Sequence, residues 1–468
     1  MKSMFKKTML AASCAVAMGG ISQSVLAADW LMIQGTEKPG QSARARVWGF
    51  IQAQYQQDNS DANAQGTYTP PKLIGPDLES RSAFNINRAR IGVRGTGMPL
   101  DSNVNYFFLV EFGNNAITNP GGSFAKITDA SVTLNHMKEY GRVRVGTFKI
   151  PMAEEIYQGI ALFDYVNFTE GTNQLLLERI PNRQYKNNIP AQGLPVASSL
   201  NGFENSVAAA RGTGVQLFNT IKVAPTWEVG YSFMVENGNG INTSDNNGPK
   251  DRHFYFNFTK VYKGVGPRRQ DWKTFAWYTT GKRDVNIRDD SGSTPTYAFQ
   301  RFDRTRYGVG TKYYKLPFRV TAEWMRGKGV IFQGPHKPNY ILADGVANNA
   351  VGPGTAAFKV DHFSSGLRDD AKATSWYIEG AYIVPKTKWE FDLRIARFNR
   401  LEDSAGEVEF KNTTVGIQYH LNKKSRIALN IESRDYKAIG SNATFAAAVN
   451  NNLSGVDKRY SIQLTHIF

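Results

Sequence analysis

The sequence predicts an all-β chain: a transmembrane antiparallel β-barrel of about 16 strands with one loop folded inward as a constriction. Three observations lead there. Residues 1–27 read as an export signal, the remainder lacks a long apolar run, and the chain closes on Tyr460-Ser461-Ile462-Gln463-Leu464-Thr465-His466-Ile467-Phe468, which alternates in period two and ends on an aromatic ring. A barrel carries its apolar surface on every second residue, so bulk hydropathy misses it. An exported chain of this kind makes a pore the first functional expectation.

The export signal has three parts. Lys2, Lys6 and Lys7 make a basic start, Met9 to Val16 is apolar, and Val25-Leu26-Ala27 offers compact residues for cleavage. The apolar part is too short for a retained membrane anchor. Cleavage before Cys14 as a lipoprotein is disfavoured, because Ala11-Ala12-Ser13 lack the usual Leu and the apolar stretch runs on to Ala27. The expected division is therefore a signal peptide over 1–27 and a single barrel over 28–468.

Cys14 is the only cysteine, so the mature chain has none. Disulfides, thiolate nucleophiles and Cys-based metal sites are excluded. The six histidines (His136, His253, His336, His362, His420, His466) show no His-x3-His spacing, so zinc motifs are absent. No metal and no cofactor is expected. Losing Lys2, Lys6 and Lys7 takes the formal charge from +16 to +13. Export argues against nucleic acid as the partner of that charge. In a barrel, excess Lys and Arg face the lumen or the lipopolysaccharide leaflet.

Alternating segments of about ten residues recur along the chain. Trp227-Glu228-Val229-Gly230-Tyr231-Ser232-Phe233 and Trp389-Glu390-Phe391-Asp392-Leu393-Arg394-Ile395 alternate well. Strands are expected near 44–56, 82–96, 101–113, 125–137, 140–150, 207–220, 225–237, 251–262, 271–283, 301–316, 318–329, 373–384, 387–400, 410–422, 424–436 and 458–468. Sixteen strands leave an aqueous channel rather than a packed interior. Leu316-Pro317, Pro385-Lys386 and Asn422-Lys423-Lys424 read as short periplasmic turns. Residues 57–81, 236–250, 284–300, 330–372 and 437–457 read as long extracellular loops. A soluble sandwich of this length would divide into domains, and no boundary is visible.

Residues 151–205 follow the fifth strand without a clear strand of their own. Ile156, Tyr157, Ile160, Leu162, Phe163, Tyr165 and Phe168 make the first half apolar, which suits a segment packed on a wall. An extracellular lid or a trimer latch is the other reading. The segment carries the acids Glu154, Glu155, Asp164, Glu170, Glu178 and Glu204 against Arg179, Arg183 and Lys186. An acidic loop facing a basic wall would set up a transverse field, as in general porins.

The basic wall comes from parity. In Asn87-Arg88-Ala89-Arg90-Ile91-Gly92-Val93-Arg94, the residues Arg88, Arg90 and Arg94 oppose Ala89, Ile91 and Val93, and Gly92 leaves space between guanidiniums. An Arg on the lipid side at the midplane would cost about 2–4 kcal/mol, so these three face water. Arg142 and Arg144 oppose Val143 and Val145, and Arg304, Arg306 and Lys312 oppose Tyr307 and Val309. Forked guanidiniums match phosphate or carboxylate oxygens, and several moderate sites in a row favour conduction. The blander reading pairs them with acids such as Glu111, Asp129, Glu154 and Glu155. Residues 237–247 are rich in oxygen side chains but lack the EF-hand glutamate and spacing; a tight turn accounts for them. Aromatic girdles at the membrane interfaces account for most of the 8 Trp, 21 Tyr and 28 Phe.

Three blocks resemble the phosphate-selective porin O and P family. They are Asn87 to Gly95; Ile127-Thr128-Asp129-Ala130-Ser131-Val132-Thr133-Leu134 followed by Val145-Gly146-Thr147-Phe148-Lys149-Ile150-Pro151 and Glu154; and Val235-Glu236-Asn237-Gly238-Asn239-Gly240 with Asp251 beyond. The resemblance spans most of the mature chain. It implies a homotrimer of sixteen-stranded barrels with an inward loop and an Arg/Lys anion path, and it carries over to Arg88, Arg90 and Lys149. The expected function is an outer-membrane porin for passive diffusion of small anions, phosphate foremost, with lipid and lipopolysaccharide as its surroundings. Nothing points to catalysis; the rivals are a general porin for small polar solutes and a non-channel barrel, enzymatic or adhesive.

Overall fold

The computed structural model describes residues 30–37, 44–61, 82–97, 101–115, 117–119, 124–137, 139–178, 210–238, 240–241, 245, 248–264, 269–289, 296–331, 369–441 and 443–468. The export signal, and the 179–205 half of the expected constriction loop, lie outside the described residues.

Sixteen strands follow in chain order: β1 (Arg46–Asp58), β2 (Ser82–Thr96), β3 (Val104–Glu111), β4 (Lys126–Leu134), β5 (Arg142–Lys149), β6 (Arg211–Ala224), β7 (Trp227–Glu236), β8 (Asp251–Lys263), β9 (Gln270–Asp289), β10 (Thr296–Lys315), β11 (Phe318–Gly329), β12 (Lys372–Ile383), β13 (Trp389–Arg400), β14 (Val408–Asn422), β15 (Ser425–Ala438) and β16 (Arg459–Ile467). Each pairs with its sequence neighbour, and β1 pairs antiparallel with β16. The sheet is thus a closed antiparallel barrel with no free edge. The terminal aromatic takes part in closure: the Phe468 amide donates to the Gly49 carbonyl (3.0 Å) and its own carbonyl accepts from the Gly49 amide (3.3 Å).

The strands are inverted relative to those of a soluble protein. In β13, Phe391, Leu393 and Ile395 are exposed, while Glu390, Asp392 and Arg394 are buried. Exposed apolar residues recur on the outside, among them Val415, Leu429, Ile462 and Leu464. An apolar exterior over a charged interior is the pattern of a membrane-spanning barrel. Aromatic pairs gather near the short-turn end: Trp227 stacks on Phe258 at 4.5 Å, Trp389 meets Tyr419 at 4.7 Å and Phe318 meets Tyr382 at 5.5 Å. Among the described residues no helix is long and apolar enough to cross a membrane.

Two expectations about loops are corrected. Residues 284–289 and 296–300 continue β9 and β10 instead of forming a loop over 284–300. Val285 and Ile287 keep the period-two spacing that extends the hairpin. Residues 437–457 contain the helix α2 (Ala443–Leu453), numbered after α1 (Glu154–Tyr157).

Two segments lie against the inner wall. Residues 150–178 leave β5 through Pro151 and run through α1, a 3-10 turn at Ile160–Leu162 and a π-helical turn at Gly171–Leu176. Ile156, Phe163, Tyr165 and Leu175 from this segment belong to one buried apolar cluster with the inward Tyr255, Phe275, Trp277, Met325, Tyr377 and Phe410. The second segment, residues 30–37, runs along β2 to β5, and its Trp30 and Leu31 are buried. Sequence reading did not anticipate it, although Trp30-Leu31-Met32-Ile33 is an apolar cluster directly after the export signal.

Candidate functional site

Strand β2 carries the inner basic wall, with one departure from strict alternation. Gln52 of β1 pairs with Arg88 while Ala53 pairs with Ile86. Asn87 is therefore an extra residue, a β-bulge that re-aims the strand. Asn87 and Arg88 are both buried, Arg90 follows on the same face, and Ile86 and Ile91 are exposed. Arg88 donates to Gln52 Oε1 (2.9 Å) and Asn87 to Gln54 Oε1 (3.1 Å), so the bulge places a polar pair in the lumen.

The nine basic residues read as an anion path divide in two. Arg90 pairs with Glu111 (2.7 Å) and Arg94 with Glu37. Arg304 and Arg306 both reach Glu178, and Lys312 reaches Glu154 (3.2 Å). Arg88, Arg142, Arg144 and Lys149 have no carboxylate in ion-pair contact among the described residues. Arg142 donates to Asn219 Oδ1. Arg144 donates to Thr133 Oγ1 (3.3 Å), to Gln216 Oε1 (3.0 Å) and to the Gln34 carbonyl of the N-terminal segment. Lys149 donates to the carbonyls of Ile156 (2.9 Å), Tyr157 (3.4 Å) and Gln158 at the start of the inner segment.

The acids of the inner segment are engaged by the wall on which it rests. Glu154 accepts from Lys273 of β9 (2.5 Å), Lys312 of β10 and Trp30 Nε1 (3.1 Å). Burial pushes its carboxyl up, but the two ammonium groups outweigh burial and hold it at about 2. Glu155 accepts from Arg394 of β13 (2.9 Å), Thr169 and Thr172. Asp164 pairs with Arg319 of β11 (2.9 Å) and Arg426 of β15 (3.3 Å). Glu178 sits among Arg283, Arg304 and Arg306; burial raises its carboxyl and these guanidiniums bring it below its ordinary value. Its backbone holds a left-handed φ of 51°, uncommon outside glycine. Glu170 differs: burial dominates and raises its carboxyl, with Tyr436 (2.7 Å) and Gln174 (2.6 Å) as donors. An acidic loop facing a basic wall across open water is thus replaced by carboxylates neutralised at β9, β10, β11, β13 and β15.

Between the inner segment and the β1–β5 wall lies a cavity of about 1180 Å³, open among the short turns. Arg90, Arg94, Arg144, Lys149 and the unpredicted Arg211 charge it from β2, β5 and β6, and Lys388, Lys423, Lys424 and Arg426, with the acid Glu390, charge it from the short-turn end of β13 to β15. Arg211 opens β6 opposite Lys149 and pairs with Asp129 (2.9 Å). Rings are interleaved with these cations. The guanidinium of Arg90 lies 5.5 Å from the Phe50 centroid, Arg94 lies 5.4 Å from Phe107, and Arg144 lies 4.3 Å from Phe218. The space expected at Gly92 is occupied: a Cβ there would meet Trp48 Nε1 at 3.1 Å.

Arg319, Arg394 and Arg426 were also missed, yet the same parity rule reaches them. Phe318 and Val320 flank Arg319, and Leu393 and Ile395 flank Arg394, as exposed apolar neighbours. Glu236, Asp251 and His253 bring three ligand atoms within 4.8 Å of one another. Both Asp251 oxygens take Arg283 at 3.0 Å, and His253 faces Glu236 (3.1 Å) and Thr279 (3.0 Å). With guanidinium charge already on the carboxylate, the cluster is an ion-pair network. The 237–247 turn is described only in part.

A closed sixteen-stranded barrel with an apolar outside and a charged, partly filled inside has the architecture of a porin. Residues 52–236, from β1 through β7, match the family model of the phosphate-selective porins O and P, which bears out the resemblance seen in the sequence over that stretch and not over most of the chain. No curated protein matches the chain. Among solved structures, OmpF of Salmonella typhi in complex with daunomycin is 11% identical at a TM-score of 0.51, covering 91% of this chain and 97% of that one. The outer membrane channel DcaP of Acinetobacter baumannii is 12% identical at 0.48, covering 93% and 100%. OmpT of Vibrio cholerae in its trimer form is 10% identical at 0.49, covering 91% and 99%. At these identities the likeness concerns the fold alone.

Proposed function

We propose that this chain is an outer-membrane porin through which small anions, phosphate among them, diffuse passively. The observation that carries the reading is a charge imbalance along the inner wall. Arg88, Arg142, Arg144 and Lys149 face inward without a carboxylate partner among the described residues, while Glu154, Glu155, Asp164 and Glu178 are each neutralised at the far wall. Uncompensated cations on the inner wall, Arg144 and Lys149 of them at the cavity, raise the local anion concentration. The 150–178 segment serves as the constriction, and the family name supports phosphate as one permeant ion. The pairing of the segment's acids removes the transverse field on which a general-porin reading rests. Homotrimeric assembly in the outer membrane, in contact with lipid and lipopolysaccharide, follows from the family resemblance and the apolar exterior.

The test is the reversal potential of the mature protein in a planar bilayer under a salt gradient. Anion selectivity with phosphate block of chloride current supports the reading. Cation selectivity sinks it, and a barrel without current returns the adhesive or enzymatic alternative.

A further inference from the structure

The cavity at the short-turn end combines two chemistries that inorganic phosphate does not use together. On one wall the register alternates rings and guanidiniums. Phe50 pairs with Arg90, Trp48 with Gly92, and Phe107 with Arg94. Trp48 and Phe107 lie 5.6 Å apart, ring to ring, so the indole fills the gap between the two arginines and joins a continuous apolar surface. The opposite side is formed by Tyr157, Ile160 and Leu162 of the inner segment.

The guanidiniums are fixed but not exhausted. Arg90 spends Nε on Glu111 (2.7 Å) and Nη2 on Thr118 (3.2 Å). Arg94 spends Nε on Glu37 and Nη2 on the Ile33 carbonyl (2.5 Å). Among the described residues neither Nη1 carries a hydrogen bond, so each offers N–H groups from a head already oriented by an acid and a ring. Pre-oriented donors lose little freedom on binding a carboxylate. Arg144, Lys149 and Arg211 charge other parts of the lining, but beside Arg90 and Arg94 the surface is aromatic; there phosphate would have to surrender a strong hydration shell without polar replacement, whereas an apolar ring gains by leaving water for such a surface.

We propose that this cavity is a selectivity site for monocyclic aromatic carboxylates, the carboxylate taken by Arg90 or by Arg94, which flank the indole on either side, and the ring lying against Trp48 and the neighbouring Phe50 or Phe107. The proposal rests on the anion-porin reading and narrows it: organic anions with a flat apolar body outrank inorganic phosphate.

The test is block of chloride current through the full-length mature porin by benzoate, acetate and phosphate at matched ionic strength. Half-block by benzoate is expected at a concentration at least about tenfold below that for acetate or phosphate, which corresponds to about 1.4 kcal/mol. Trp48→Ala should bring the benzoate-to-acetate ratio close to one, and Trp48→Phe, which keeps a ring there, should preserve most of it. Phosphate or acetate blocking as well as benzoate overturns the proposal while leaving an anion-selective porin. A benzoate preference unmoved in Trp48→Ala overturns it as placed here. Cation selectivity in the unmodified protein overturns the underlying reading and this proposal together.

Discussion

Replacing Glu154 by Gln should loosen residues 150–178 from the inner wall, and the size of the effect can be worked out beforehand. The Glu154 carboxylate is buried and accepts from Lys273 (2.5 Å), Trp30 (3.1 Å) and Lys312 (3.2 Å). Burial alone would raise its titration; the two lysines reverse this and bring it from an ordinary 4.5 to about 2. At roughly 1.4 kcal/mol per pH unit, the charged form is favoured by about 3 kcal/mol. That agrees with the cost of about 3–5 kcal/mol for removing one partner of a buried ion pair. A neutral amide in place of the carboxylate would leave two buried ammonium groups without an anion. The sign of the pH dependence follows from the lowered titration: the contribution is full above about 4.5 and is lost as pH falls towards about 2. Single-channel recording measures this directly. The unmodified channel is expected to be quiet at pH 7 and to gain open-channel noise near pH 3. The Glu154→Gln channel is expected to be noisy already at pH 7 and to change less on acidification. If its noise and mean conductance at pH 7 match those of the unmodified channel, Glu154 does not anchor the segment and the reasoning fails.

Other expectations concern the wall. Arg88→Ala should lower anion preference more than twofold, because a unit charge at roughly 8 Å through water is worth about 0.5 kcal/mol; an unchanged reversal potential would remove Arg88 from the path. Glu178→Gln should destabilise the folded barrel by about 3–5 kcal/mol, since Arg283, Arg304 and Arg306 lose their shared acid; urea titration in vesicles reads this, and a loss under about 1 kcal/mol would mean that the guanidiniums find other partners. Leu393→Arg, on the exposed apolar face of β13, should cost about 2–4 kcal/mol in the same titration. Equal stability would place that position outside the hydrocarbon.

The strands were legible because each depends on a local rule. Period-two alternation, short Pro- or Lys-containing turns and the terminal Phe468 give all sixteen; the β9–β10 hairpin outgrew its expected bounds most, β6 ran four residues further, and β1, β14 and β15 ran two. Parity also put Arg88, Arg90 and Arg94 on the inner face, and it would have put Arg319 and Arg394 there had it been applied to every strand. It could not reveal the bulge at Asn87, where one extra residue turns two consecutive polar side chains inward. Nor could it say which cations remain uncompensated. Arg304 and Arg306 look like Arg142 and Arg144 in sequence, each pair flanking one residue of a β-strand. They differ because Glu178, more than a hundred positions away, is carried across the lumen to the former pair, while the latter meets Asn219, Gln216 and a backbone carbonyl of residues 30–37. In a barrel the wall is written strand by strand. The contents of the lumen are set by where two irregular segments come to rest, and in this chain that placement decides which of the inner arginines remain for an anion.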